Sequence, residues 1–353
     1  MEQTKVKKSI SKEVVMNTLN GLSIGIIVAL VPSALLNQLL TALLPVFPAG
    51  GTIMAMTNAA MTLLPAVSAV CVGMLAKFSP IQTTSIALAA VMGAGNFKVG
   101  TNGFNVSGTG DVINIAITIM IGYTLILLLG KRLKAYTILL IPTLVLVIAG
   151  GIGTLTLGPV SGITKLLGIG VMQLTSLQPL VMGVLLGIVF ALLIISPISS
   201  VGIAAAISIH GVAAGAANLG IVAAGFALAI YGWKVNSVGT SLAHFLGSPK
   251  MQMANIMSRP KLIVPIMINA GILGGLGAVL NIQGTAMSAG FGFSGLIGPI
   301  AALNGIGQVT AGSLILVTLM FFVLPIGLGL VSDYVFANKL HFYENSDFEL
   351  NYA

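Results

Sequence analysis

Between Glu13 and Asp333 this chain contains one acidic residue, Asp111. Charged residues of either sign make up only 6% of the 353 positions, aromatic residues another 6%, and cysteine occurs once. A soluble domain needs a polar outer layer, and this composition cannot supply one. One cysteine excludes a disulfide framework, and Cys71, inside "PAVSAVCVGM", reads as a small apolar side chain. No zinc spacing and no phosphate-binding glycine loop appears, so neither a metal nor a cofactor is expected. The net charge of +8 comes from short basic clusters between apolar runs, a membrane pattern rather than a nucleic-acid one.

What the chain does contain is apolar sequence, at 57% of all residues and a mean hydropathy of +1.09. Several runs reach the roughly 20 residues that cross a bilayer as a helix. They are continuously apolar rather than alternating, which favours helices over a barrel. The expected class is an all-α polytopic membrane protein. Ten segments can be drawn, at about 18–42, 52–76, 80–96, 111–130, 136–157, 179–198, 200–216, 217–232, 262–281 and 312–331. The first is too long for a signal-peptide core and is expected to stay with the protein. Residues 1–17 then form an N-terminal segment, 18–331 one membrane domain with halves at 18–175 and 176–331, and 332–353 an amphipathic tail. With the Lys-rich start in the cytoplasm, 13 of the 15 basic residues fall on that side and only Lys98 and Lys165 fall outside, so both termini are expected to be cytoplasmic. That count needs two crossings within 200–232.

Three stretches are neither ordinary spans nor ordinary loops. Residues 92–111, "MGAGNFKVGTNGFNVSGTGD", and 283–308, "QGTAMSAGFGFSGLIGPIAALNGIGQ", are too rich in glycine for continuous helix and are expected to be re-entrant or broken-helix elements. Residues 233–261 are polar yet hold few charges, as a segment folded back as a gate would. A repeat, GxxxGIxxAL, begins at Gly21 and again at Gly183. Two copies on oppositely directed segments fit an inverted repeat of five plus five helices; each also offers a small-residue face for close helix packing.

The candidate site residues follow from the scarcity of polar groups. Asp111 precedes an apolar run and suits a helix cap, but an ionisable group near a membrane is also a functional candidate. Asn114 follows one turn later, and Asn96, Asn102 and Asn105 precede it. Amide clusters suit a polyol, whose hydroxyls donate and accept. His210, in "AAAISIHGVAAGAANLG", is expected to be buried, with Asn218 eight residues on. His244 stands in "NSVGTSLAHFLGSPK", and His341 is expected on an exposed tail helix. Phe97, Phe104, Phe291 and Phe293 are available for packing or for a sugar face. Tyr231 and Trp233 fit an interfacial belt. No pair of carboxylates and no nucleophile with its base is evident, so translocation fits better than bond chemistry.

The stretches "NGLSIGIIVALVPSALL", "GTGDVIN", "AAGAANLG" and above all "WKVNSVGTSLAHFLGSPKMQMANIM" resemble the EIIC-like membrane proteins of the phosphotransferase system, in the branch that includes the perfringolysin-regulator-type proteins. The resemblance runs over about 15–331. It implies a bacterial inner-membrane homodimer of about ten spans that translocates a sugar or polyol, with phosphorylation supplied by separate cytoplasmic IIA and IIB proteins. Better-known members pair a membrane Glu with a His at the substrate; here only Asp111 could supply a carboxylate. An ion-coupled transporter, or a sensor built on a transporter fold, are the alternative functions.

Overall fold

The computed structural model describes residues 2–100, 103–133 and 136–350; Asn102 and Lys134 lie outside these. The chain is helical almost throughout, as the apolar runs require: backbone amides can be left to the lipid only if each finds its partner within its own helix. Six described helices are long and apolar enough to cross a membrane, and a seventh span arises if one bent pair is counted as one. Of the ten segments drawn from hydropathy, several fold as helices shorter than a full span, Pro179–Ile195 among them.

The chain divides into two compact units, Met1–Ser33 with Thr52–Gly162, and Ala34–Gly51 with Ile163–Ala353. The first is built from α1 (Glu2–Leu43) as far as Ser33, α2 (Gly50–Thr62) from Thr52 on, α3 (Leu64–Leu75), α4 (Pro80–Gly93), α5 (Val112–Leu133) and the start of α6 (Thr137–Leu174). Helices α2 and α3 meet at a 56° bend, where Pro65 lacks the N–H that would continue the helix. Gly21 and Gly25 of α1 lie against the backbone of Val72 and Ser68, with no room for a methyl group.

Residues 92–111 are not a broken helix. They form an antiparallel hairpin, β1 (Phe97–Gly100) and β2 (Gly103–Val106), with β2 exposed along its length and Phe97 stacked on Phe104 at 4.8 Å. Glycines at positive φ, Gly95 (74°) before it and Gly108 (70°) and Gly110 (77°) after it, set the turns that lead in and out.

The second unit is centred on α7 (Pro179–Ile195), α9 (Gly211–Tyr231) and α12 (Ile263–Val279). Helix α9 is buried along nearly its whole length from Ala214 to Tyr231, and a helix apolar on every side belongs at such a centre. Gly183 and Gly187 of α7 touch the backbone of Gly274 and Ala270, and Gly220 of α9 touches that of Gly187. Both copies of the GxxxG pattern thus serve close packing.

The stretch 200–232 folds as two helices, of which only the second is long enough to span. A short α8 (Ser200–Ala206) stops, the chain unwinds with Ser208 at φ 49°, and α9 then runs unbroken for 21 residues. At the break Gly211 and Gly284 exchange backbone hydrogen bonds of 3.1 and 2.9 Å. Residues 283–308 are the broken helix expected: α13 (Ala286–Phe291) and α14 (Ile297–Ile306) are separated by Gly292, Gly295 and Leu296, with φ of 65°, 58° and 60°. The 233–261 segment folds into α10 (Val238–Leu246), a turn at Gly247 and Ser248, and α11 (Met253–Ser258). The last helix, α15 (Ala311–Lys339), ends before His341. That residue is exposed but sits in a left-handed turn (φ 48°) rather than on a helix, and the chain beyond it folds back onto 231–261.

Candidate functional site

In the first unit Asp111 starts α5. Its N–H donates to Ala94 O at 2.9 Å, and its Oδ1 accepts from the Asn114 N–H at 3.0 Å, so it caps the first turn. Asn114 is fully buried and fully bonded. Its Nδ2 donates to Gly93 O (2.5 Å) and Gly153 O (2.7 Å), and its side-chain oxygen accepts from the Thr156 hydroxyl (2.7 Å). The side chain ties α4, α5 and α6 together and has no bonding capacity left for a solute on its Nδ2. Asn96 donates to Thr62 O and Gly108 O, while its buried side-chain oxygen has no partner. Asn105 is exposed on β2, opposite Lys98.

In the second unit His210 is exposed rather than buried, because the helix breaks where it stands. It is the residue before α9, and its Nδ1 lies 3.0 Å from Ser208 O. Together with Ser208, Thr175, Met172 and Met182 it lines a cavity of about 400 Å³. Asn218 is two turns further along α9. It is wholly buried, and neither its Nδ2 nor its Oδ1 has a hydrogen-bond partner. Its amide faces Gly298, where a side chain of any size would collide with it. The amide is therefore held against the broken α13–α14 element.

Further along α9, Gly225 admits the backbone of His244 and Phe245. His244 and Ser241 lie on one face of α10, and both are fully buried. His244 Nδ1 donates to Ser241 O at 3.1 Å, which leaves Nε2 as an acceptor without a partner; the Ser241 hydroxyl has none either. Burial draws the imidazole down from its ordinary 6.5 to about 4, so it is neutral at physiological pH. Phe245 stacks on Phe226 at 4.2 Å, and Phe293 meets both edge-on. Phe293 thus packs the wall behind α10 rather than presenting a free face.

The turn after α10 is anchored by Lys250, which the sequence reading counted only as a cytoplasmic charge. Its ammonium donates to Leu193 O (3.2 Å), Ser196 O (2.5 Å) and Ile198 O (2.7 Å), at the negative end of α7. Burial pulls it from 10.5 to about 7. Ser294, in the broken element, donates to Gly247 O on the same turn. The signal for Lys250 was present: a lone cation in "HFLGSPKMQM", without a nearby carboxylate, can be buried only against carbonyl groups.

The chain matches the model of a family described as Phosphotransferase system, EIIC, over residues 16–350. It belongs to that family. No curated protein and no solved structure matches it. This EIIC chain is accordingly a multi-pass membrane protein and a membrane permease component of a phosphotransferase system. Among the described residues, no three His, Cys, Asp or Glu side chains gather as a metal site would require. Among the described residues, the buried side-chain atoms of the second unit that lack a hydrogen-bond partner belong to an amide, a hydroxyl and a neutral imidazole, each able to bond a hydroxyl and none of them charged.

Proposed function

We propose that this EIIC chain is a sugar or polyol permease, a homodimer of the bacterial inner membrane with cytoplasmic termini, whose solute is phosphorylated by separate IIA and IIB proteins. The observation that carries the solute class is the wholly buried Asn218 amide with neither atom bonded. A dehydrated, unpaired amide costs about 1–3 kcal/mol, a cost that a transported hydroxyl group relieves. Asn218, Ser241 and His244 are assigned solute contacts in the occluded state, His210 contacts at the cavity beside the helix break, and Asp111 a contact in the first unit. Asn114, bonded throughout within the protein, and Asn105, out on the hairpin, are assigned none.

The test is a thermal-shift series on purified protein with neutral sugars, polyols, sugar phosphates and organic anions, since a ligand raises the melting midpoint of the state it binds. Neutral polyhydroxylated compounds should stabilise it; stabilisation by anions alone would overturn the reading. Uptake into vesicles should then require phosphoenolpyruvate and the cytoplasmic proteins. Dependence on an ion gradient instead would make the chain a secondary transporter. A second reading, a membrane sensor, draws support from the tail, which docks on the 231–261 segment.

A further inference from the structure

Beyond His341 the tail lies along Tyr231–Lys261, and side chains of that segment grip its main chain. The Asn236 and Gln252 amides both donate to Phe348 O, at 2.9 and 2.7 Å. Asn255 donates to Glu349 O and Lys261 to Phe342 O, each at 2.8 Å, and Leu350 N–H donates to Asn236 Oδ1 at 2.8 Å. In return, Asn345 donates to Tyr231 O at 2.8 Å. Two aromatic side chains anchor the strap: Phe348, fully buried, and Tyr343, 3% exposed, pack on Tyr231 at 5.3 and 5.2 Å. His341, Glu344, Ser346 and Glu349 are exposed, whereas Phe342 packs on Phe336 and Asp347 lies against Arg259.

This is how a groove takes an extended peptide: main-chain bonds hold it and one or two pockets select its side chains. The charges also match. The tail carries Glu344, Asp347 and Glu349, the segment beneath it carries Lys234, Arg259 and Lys261, and Arg259 pairs with Asp347. The grip runs along the strap from Phe342 to Leu350. Arg259 is 53% exposed, and a surface ion pair of that kind contributes at most about 1 kcal/mol. The hinge is a non-glycine residue at φ 48°, a backbone state that is mildly unfavourable.

We propose that the Tyr231–Lys261 segment is a peptide-docking surface whose occupant is the chain's own tail, a detachable strap that keeps α10, with Ser241 and His244, in its buried position while docked. The inference does not depend on the solute assigned above, because it concerns only whether α10 is held by the tail.

Amide hydrogen exchange on the purified full chain tests it. Phe348→Ala should speed exchange across Val238–Gln252 at least about tenfold, while the amides of α9 and of the first unit keep their protection. Asp347→Lys, which leaves the aromatic core intact, should speed the same amides about threefold, and Arg259→Glu in that background should restore them. If the Phe348 variant does not fold, the charge reversal and its rescue decide alone. Unchanged exchange in Val238–Gln252 on strap disruption would overturn the proposal. So would an equal rise throughout α9, which would make the tail simply part of the core.

Discussion

Thr156 and Asn114 stand 42 residues apart, and the Thr156 hydroxyl donates to the Asn114 side-chain oxygen at 2.7 Å. With the two carbonyls that Asn114 itself binds, this makes three helices depend on one amide. Asn114→Ala should cost about 3 kcal/mol, one for each lost bond, and lower the melting midpoint in detergent. Thr156→Val should cost about 1 kcal/mol. Protein that remains folded should transport normally, because the amide's bonds are all internal.

The helical class and most helix positions were legible because lipid and protein interior demand the same thing of a segment, a long apolar run. The helix break within 200–232 was not. Ser208 unwinds the chain at φ 49° inside an apolar stretch, and hydropathy cannot register a dihedral angle. The hairpin at 97–106 was missed for a related reason: glycine density signals a break in helix but not what replaces it. Of the site, Asp111 and the histidines stood out by rarity. That His244 is buried and His210 exposed depends on Gly225 and on the break before Gly211, contacts between residues distant in sequence. The copies of GxxxG at Gly21 and Gly183 were legible as packing faces, though their partners, Ser68 and Gly274, were not.

Asp111→Asn separates the cap from the charge. Asparagine caps a helix as well as aspartate does, so the melting midpoint should move by less than about 0.5 kcal/mol equivalent. If the carboxylate contacts the solute, uptake should fall nearly to background at unchanged membrane abundance. Normal uptake by this variant would leave Asp111 with capping alone.

The burial of His244 sets an acid limit. Its pKa in the fold, about 4, lies below the ordinary 6.5, so between these values the unfolded chain takes up a proton that the folded chain refuses. The contribution of the neutral ring is fully present above about pH 6.5 and is lost as pH falls towards 4, at about 1.4 kcal/mol per unit. Lys250, drawn down to about 7, is protonated in both states over most of that range and adds little slope there. Melting midpoints measured from pH 7 to 4.5 should therefore fall more steeply for the wild type than for His244→Gln. Parallel curves would mean that the ring is not held neutral.

Asn218→Leu sets stability against transport at one side chain. The amide has neither atom bonded and is fully buried, so a leucine, with the same branched connectivity and somewhat greater bulk, removes a dehydrated polar group without opening a cavity. A residue retained only for packing would lose nothing by this change. A residue kept unpaired to meet a solute should show the opposite signs in two measurements. The melting midpoint should rise by the equivalent of about 1–2 kcal/mol, and uptake, together with any stabilisation by sugars or polyols, should disappear. Asn218→Asp, which leaves size unchanged and adds a charge that burial penalises, should lose both stability and uptake. Should Asn218→Leu instead melt lower than the wild type and still transport, the amide would be a structural contact of α9 with the broken element at Gly298, and the solute would have to be sought at the cavity beside His210.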